Sequence, residues 1–204
     1  NMDKLSEFFE ELRRLEIKVQ RPCINECFAE FIPQKNTLFY ALGAIKNVGF
    51  EAISQIARER KKNGKFKSMS DFINRVNPKN INKLQLEGLV KAGAFDNIFK
   101  NRKTLYDNIP NIIKNSKTIF DNRVQNQSSL FSDDSQKISY LINENNSLGW
   151  TKDEILTKEF EAVGFYISSH PLKNYQDILE QHNVKTFKIF EKSNESESFV
   201  AGTI

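Results

Sequence analysis

The feature that most constrains this chain is a run of small and apolar residues between two predicted helices. It reads Leu42-Gly43-Ala44-Ile45-Lys46-Asn47-Val48-Gly49, and a helical segment with Ala52, Ile53 and Ile56 on one face follows it. Glycine permits a tight turn, and the N–H groups that begin the next helix then face outward. This pattern is typical of a helix-hairpin-helix motif. An ordinary corner between two helices is the alternative.

The turn has the chemistry of a phosphate site. Unpaired N–H groups at a helix N-terminus bind anions, Lys46 adds a positive charge, and we expect Val48 to plug into the helix pair and hold the turn rigid. Asn47 stands where such a turn usually has a glycine, and asparagine tolerates the left-handed backbone region best among the other residues. The predicted phosphate contacts are Gly43, Lys46, Asn47, Val48 and Gly49.

A second, degenerate copy of the turn follows in Val90-Lys91-Ala92-Gly93-Ala94-Phe95. Phe95 stands where a second glycine is usual. Two turns related by a pseudo-two-fold would grip both strands of a DNA duplex through phosphates, without reading bases. Lys91, Gly93 and Ala94 are the predicted contacts of this second turn.

Positive charge is concentrated around the two turns. Residues 37–103 contain 14 Lys and Arg against 5 Asp and Glu. The rest of the chain contains the remaining 16 of 30 Lys and Arg and the remaining 21 of 26 Asp and Glu. Such a surplus indicates a module that binds a polyanion. The run between the turns supplies four further predicted contacts, Arg60, Lys61, Lys62 and Lys65, although a charge run is often only a solvated face.

The remaining periodicity predicts a mainly α-helical chain. A first helix carries Leu5 to Leu15, with Asp3 as its N-cap and Arg21-Pro22 at its end, and irregular chain follows to Asn36. We expect helices at 49–62, from Ser68, at 81–91 and from Asn101, with a kink or an early end at Pro110. Residues 115–149 are polar and are predicted to be a linker.

Two further elements are predicted after the linker. Thr151 and Glu154 form a capping box for a helix that runs to about Ala162, with Trp150 as a packing anchor in front of it. Phe199–Ile204 has the composition of one β-strand. A lone strand cannot close a sheet, so the sequence indicates a further domain that is only begun here.

Several of these strings resemble the bacterial replicative DNA polymerase III alpha subunits. They are Leu42–Gly49, Lys65-Phe66 with Asp71-Phe72, Ala92–Asp96 and, most specifically, Gly164–Leu172, which reads GFYISSHPL. The resemblance covers nearly the whole chain and implies the C-terminal part of such a subunit. It implies the end of the fingers region at 1–36, a tandem helix-hairpin-helix domain at 37–115, a linker at 116–149, a helix and corner at 150–183, and the first strand of a truncated OB fold at 184–204.

The resemblance also implies partners. Gln127-Ser128-Ser129-Leu130-Phe131 is similar to the pentapeptide by which bacterial polymerases hold the β sliding clamp, with Gln127, Leu130 and Phe131 as the contacts. Packing of Leu130 and Phe131 on their own domain is the alternative. Duplex DNA, the clamp and other replicative subunits are the implied partners. The polymerase carboxylates and their Mg²⁺ would lie outside this chain.

The sequence predicts no catalytic, cofactor or metal site of its own. No triad or metal spacing surrounds His170, which we expect to form a structural corner, and Glu159 and Glu161 fall on different helix faces. Cys23 and Cys27 are expected to be free thiols. The chain has no apolar run of about 18 residues and no signal-peptide pattern, so a cytoplasmic protein without membrane contact is expected.

Two other classes of function remain open at this point. A helix-hairpin-helix glycosylase needs a Gly-Pro-Asp hairpin and a catalytic aspartate, whereas this chain continues Gly49-Phe50-Glu51-Ala52. A purely protein-binding module would use its hairpins only for packing, and would show no salt-dependent affinity for duplex DNA.

Overall fold

The computed structural model describes residues 2–124, 148–185, 187–193 and 195–202. The chain divides into two compact units, 1–165 and 166–204. The first unit contains these elements: α1 (Met2–Arg14), β1 (Lys18–Gln20), β2 (Ile32–Gln34), β3 (Thr37–Phe39), a 3₁₀ turn (Leu42–Ala44), α2 (Phe50–Asn63), α3 (Met69–Arg75), α4 (Lys83–Lys91), α5 (Arg102–Asp107), α6 (Ile109–Val124) and α7 (Lys152–Val163). The predicted mainly helical fold is confirmed.

A small sheet precedes the first hairpin, where the sequence predicted helix and irregular chain. Helix α1 already includes Asp3 and ends at Arg14, and Glu16 turns the chain with a φ of 56°. Strand β3 then pairs in parallel with β1 and antiparallel with β2. Each strand has only three residues. That length is too short to show a period of two, and the pairing depends on contacts across the sequence.

The helices around the two turns end largely where their capping residues predict. Gly64 ends α2 with a φ of 83°, and Asn82 with Gln85 forms a reciprocal capping box for α4. Ser68 caps α3 by accepting from the Asp71 N–H. The carboxylate of Asp71 does not close that box, because it accepts from the Lys67 N–H instead.

Pro110 produces a break, as predicted. Asn101 caps α5, which ends at Asp107, and α6 begins at Ile109 with the proline in its first turn. Proline is tolerated there because the first N–H groups of a helix have no internal acceptor. Helix α6 continues to Val124, so it crosses the predicted boundary between 115 and 116. Apolar Ile119, which is buried, extends the helical face into the segment predicted to be a linker.

Aromatic side chains form two parts of the core of the first unit. Phe66, Phe72 and Phe95 pack edge to face, with both centroid distances at 5.1 Å. Phe9 stacks on Phe165 at 4.4 Å. Buried Asn25 binds the peptide of Phe66 on both sides, donating to its carbonyl oxygen and accepting from its N–H, each at 2.8 Å.

A buried ion-pair cluster joins α5 to α7. Arg102 donates to Glu159 Oε1 at 2.9 Å and makes two bonds to the carboxylate of Asp96. Glu159 is almost fully buried. Thr151 and Glu154 form the predicted capping box at the start of α7, and Trp150 packs 5.5 Å from Tyr106 on α5. Helix α7 is therefore held against α5 by contacts before its first residue and in its second half.

The second unit is short and contains a 3₁₀ turn (Pro171–Tyr175), α8 (Gln176–Gln181) and α9 (Phe187–Lys192). His170 caps the turn by accepting from the Leu172 N–H, which fits the predicted structural corner. The strand predicted at Phe199–Ile204 is wrong for its described part, since residues 199–202 are irregular. Phe199 makes one backbone bond, from the Lys185 N–H, and no described strand lies beside it. Across the described ranges of both units, no helix is long and apolar enough to cross a membrane.

Candidate nucleic-acid interface

The first turn has the geometry that its sequence predicts. The 3₁₀ turn at Leu42–Ala44 leads into Asn47, whose φ is 65°, and Gly49 is the N-cap of α2. Val48 is buried, and a Cβ atom at Gly88 of α4 would lie 3.2 Å from its Cγ2 atom. Asparagine therefore takes the left-handed position that a glycine usually occupies. The left-handed conformation expected of Asn47 and the burial expected of Val48 are confirmed.

Only part of the turn is free to bind a ligand. The N–H groups of Ile45 and Val48 donate within the turn, and the Lys46 N–H donates to the carbonyl oxygen of Ala162 at 2.9 Å. Gly43 also donates internally, to Ala29. In the ranges that the structure covers, the N–H groups of residue 47 and of residues 49–52 have no acceptor. These N–H groups, and not those of the predicted contacts Gly43, Lys46 and Val48, are the ones available to an anion.

Two glycines let other segments close around the turn. A Cβ atom at Gly43 would lie 2.5 Å from the carbonyl oxygen of Ala29, and one at Gly88 would lie 2.7 Å from that of Lys46. Gly88 belongs to α4 and is a residue that the sequence reasoning missed. Its only signal was an isolated glycine inside a helical pattern, which often marks a close approach of two backbones.

A polar groove opens beside the turn. It has a volume of about 220 Å³ and is lined by Lys46 and Asn47 from the turn, by α4 residues including Leu84, and by Glu161 from α7. The Lys46 side chain is exposed and makes no ion pair with another described residue. Hydrogen bonds from Lys91 and then Lys158 lower the pKa of the Glu161 carboxyl. The carboxylate is thus held ionised and is already paired.

The second turn has a similar shape but different surroundings. Gly93 takes the left-handed position with a φ of 76°, and Gly93 and Ala94 are buried. Their N–H groups donate to the carbonyl oxygens of Val90 and Leu89. Arg102 fills the space beside Gly93, where a Cβ atom would lie 2.2 Å from the guanidinium. In this conformation, Gly93 and Ala94 offer no N–H to a phosphate, contrary to the expectation for the second turn.

Lys91 is also engaged by protein groups. Its ammonium lies 2.8 Å from the Glu161 carboxylate and 5.6 Å from the ring centre of Tyr106. The predicted contact by Lys91 therefore competes with an existing ion pair. A helix-hairpin-helix sequence can thus keep its fold while its second turn serves packing.

The basic run between the turns separates into buried and exposed members. Arg60 is buried and donates to the carbonyl oxygens of Ile24 and Cys27, so its predicted phosphate contact is wrong for this structure. Burial also lowers the pKa of its guanidinium. Lys61 and Lys62 are exposed, and Lys65 lies 3.6 Å from Glu26. At 1.5 Å per residue, the two lysines lie roughly 18 Å along α2 from its first residue.

The remaining predictions concern thiols, metals and the clamp motif. Cys23 and Cys27 are free and buried, and burial raises the pKa of the Cys27 thiol to about 12. Among the described residues, no group of three His, Cys, Asp or Glu could hold a metal ion. Gln127, Leu130 and Phe131 lie outside the described residues.

Comparison with known proteins places this geometry in a family. A family model described as a helix-hairpin-helix motif matches residues 16–105, which include both turns. The chain is 38% identical over 88% of its length to DNA polymerase III subunit alpha of Borreliella burgdorferi. It is 34% identical to the proteins of the same name from Caulobacter vibrioides, over 89% of the chain, and Campylobacter jejuni, over the whole chain. The chain corresponds to one segment of the DNA polymerase III alpha subunits.

The match is to a small part of each relative. The chain spans 16% of the Borreliella and Caulobacter proteins and 17% of the Campylobacter protein. The matched segment includes the helix-hairpin-helix region, so the resemblance seen in the sequence is confirmed at the level of the family. This segment of the alpha subunit thus has a first hairpin turn with free N–H groups, called the open turn, and a second turn whose N–H groups are bonded internally, called the closed turn.

Proposed function

We propose that this segment binds duplex DNA through backbone phosphates at the first hairpin turn, as part of a DNA polymerase III alpha subunit. The observation that carries the proposal is the left-handed Asn47 beside the Gly49 cap of α2. This geometry leaves a row of free N–H groups at the positive end of a 14-residue helix. The exposed Lys46 stands next to them.

The arrangement suits a contact that ignores base sequence. Backbone N–H groups and one ammonium can neutralise and orient a phosphate, but a phosphate carries no sequence code. Because the second turn keeps its N–H groups in internal bonds, the first turn supplies the main contact of the hairpin pair. Lys61 and Lys62 are a second basic point on the same helix, and they could reach a phosphate farther along the duplex.

The test is fluorescence anisotropy with a short labelled duplex at several salt concentrations. For each phosphate contact, the logarithm of the binding constant falls with the logarithm of salt with a slope of about −0.9. Lys46→Glu is expected to weaken binding to all duplex sequences alike and to reduce that slope by about 1. Lys18→Glu, an exposed lysine on β1, makes the same charge change away from the turn and serves as the control.

Three outcomes would contradict this proposal. If Lys18→Glu and Lys46→Glu weaken binding equally, the effect comes from net charge and not from the turn. If Lys46→Glu changes the preferred sequence, the contact reads bases and the phosphate assignment fails. Absence of binding by the unaltered chain at low salt would favour the protein-binding alternative.

We also propose that Gln127, Leu130 and Phe131 dock the β sliding clamp. Leu and Phe can each contribute about 2–3 kcal/mol when buried in an apolar pocket, less the cost of ordering the peptide. The expected affinity is therefore on the order of micromolar, which becomes useful when DNA binding tethers the two partners. The support is the sequence of the pentapeptide and the correspondence of the chain to a segment of these polymerase subunits.

The clamp proposal has its own test. Replacement of both Leu130 and Phe131 by alanine is expected to abolish binding to purified clamp in a pull-down and to leave DNA affinity unchanged. Loss of DNA affinity in the same variant would show that the pentapeptide belongs to the folded DNA-binding unit. Ser128→Ala with Ser129→Ala is the matched control within the same pentapeptide.

For the whole protein, we propose DNA-directed DNA polymerase activity, on the basis of the relatives' names. The catalytic carboxylates and their Mg²⁺ would then lie outside this chain, which would take part only by holding DNA and other replicative proteins. Primer extension by the isolated chain, with Mg²⁺ and all four deoxynucleotides, is expected to give no product. Extension that survives repurification would contradict this division of labour.

A further inference from the structure

Two large apolar side chains flank the open turn and are left exposed. Phe50, the first residue of α2, is 57% exposed, and Leu84, in the first turn of α4, is 55% exposed. Leu84 lines the groove that also contains Lys46 and Asn47. Phe50 follows the Gly49 cap directly. Neither residue was among the predicted contacts.

The packing of α4 against the turn brings the N-terminal ends of α2 and α4 together. A Cβ atom at Gly49 would lie 3.0 Å from Nε2 of Gln85, and one at Gly88 would lie 2.7 Å from the carbonyl oxygen of Lys46. The N-terminal turn of α4 therefore meets the N-terminal turn of α2. Lys83 lies 3.7 Å from Glu87, so the exposed Lys46 supplies the positive charge beside the apolar pair.

This combination fits a nucleic-acid backbone better than an apolar protein surface. A phosphate bound by residues 47–52 brings its attached sugar next to the first residue of α2. The face of a deoxyribose is largely apolar, and contacts to sugar accompany contacts to phosphate in DNA complexes. A ribose would place a hydroxyl group against the same side chains, and burial of a hydroxyl without a hydrogen bond costs free energy.

We propose that Phe50 and Leu84 pack against the deoxyribose edge of the strand held at the turn and so favour DNA over RNA. The inference rests on the proposed phosphate contact and adds to it a determinant of sugar specificity. Lys46 and the free N–H groups bind the phosphate, whereas the two apolar side chains contact the sugar attached to it.

The test measures the affinity of the full chain for two duplexes of the same sequence. One is DNA, and the other is DNA with ribonucleotides at several positions of one strand. Phe50→Ala with Leu84→Ala is expected to weaken DNA binding about tenfold, because each of the two replaced side chains loses a partial apolar contact with the sugar. The salt slope should stay unchanged, since no charge is altered. The preference for DNA over the ribonucleotide-containing duplex should fall by several fold.

Phe8→Ala with Leu15→Ala provides a matched control, because those side chains are 47% and 56% exposed on and just after α1. Thermal unfolding of each variant shows whether the fold is intact. Unchanged DNA affinity in the Phe50 and Leu84 variant, or an unchanged preference between the duplexes, would overturn the proposal. If the unaltered chain binds no duplex at all, the phosphate contact itself fails, which separates the two ideas.

Discussion

The carbonyl oxygen of Lys46 lies so close to Gly88 that a Cβ atom at position 88 would approach it to 2.7 Å. This contact holds the open turn against α4. A residue with no expected DNA contact thereby positions the residues that have one. Such close packing of backbones requires glycine and leaves little room for adjustment.

Gly88→Ala should therefore affect both stability and binding. The added methyl group has to displace the turn or the helix, and overpacking of this kind costs about 1–3 kcal/mol. We expect a lower melting temperature and weaker DNA binding, with the salt slope reduced because the phosphate site is distorted. Gly149→Ala is the control, since its Cβ atom would meet only ordinary contacts at 3.6 Å or more. Equal behaviour of the two variants would show that the turn does not depend on Gly88.

Substitutions of Asn47 should separate backbone strain from side-chain chemistry. Asn47→Gly keeps a residue that accepts a φ of 65°, so stability and DNA affinity should stay close to those of the unaltered chain. Asn47→Ala places a Cβ-bearing residue in the left-handed region and should cost about 1 kcal/mol in urea unfolding. Asn97→Ala, at an exposed position without a positive φ, should change little. A large loss of affinity in Asn47→Gly would show that the amide side chain itself contacts DNA.

Arg102→Ala should strongly destabilise the first unit. Removal of the guanidinium takes the Arg102 ion pair away from the buried Glu159 carboxylate, and breaking a buried pair typically costs about 3–5 kcal/mol. The exposed pair of Lys103 and Asp107 lies on the same helix, so Lys103→Ala should cost less than about 1 kcal/mol. Equilibrium urea unfolding measures both. Addition of Glu159→Gln to Arg102→Ala should recover part of the loss; no recovery would mean that the uncompensated charge is not the cause.

Stability should fall on the alkaline side because of the buried thiols. Burial raises the pKa of Cys27 to about 12, whereas a thiol in the unfolded chain titrates near 8.5. Deprotonation thus favours the unfolded state between these values. The contribution of the protonated Cys27 thiol to the free energy of unfolding is fully present below about pH 8.5 and is lost as the pH rises towards 12. Between pH 8 and 10 we expect the free energy of unfolding to drop by about 2 kcal/mol, measured by urea titration.

Cys27→Ala should flatten that alkaline dependence, although the variant starts from a lower stability because it leaves a small cavity. Cys23 and Tyr40 have pKa values raised by burial as well, so a residual slope is expected. An identical slope with and without Cys27 would contradict the assignment. The folded chain should also react slowly with a thiol reagent at pH 8, since both cysteines are buried.

Local sequence was enough to identify the elements that are specified locally. The small residues from Gly43 to Gly49 predicted the hairpin, because only glycine and asparagine take the left-handed position without a large steric cost. The capping box at Thr151 and Glu154 set the start of α7 for a similar reason, as both hydrogen bonds lie within four residues. The short strings Leu42–Gly49 and Gly164–Leu172 also carry the resemblance to the polymerase family.

Tertiary structure alone decided which of the predicted contacts are open. Arg60 and Lys62 are two residues apart and carry the same charge, yet one is buried against the carbonyl oxygens of Ile24 and Cys27 and the other faces solvent. Gly93 has the backbone of a binding turn, but its surroundings are filled by Arg102. These outcomes depend on segments far apart in the chain, and no local pattern encodes which distant group satisfies an N–H or a charge. The sequence by itself therefore determined where turns and helices form, whereas packing between distant segments determined which turn remains free to bind.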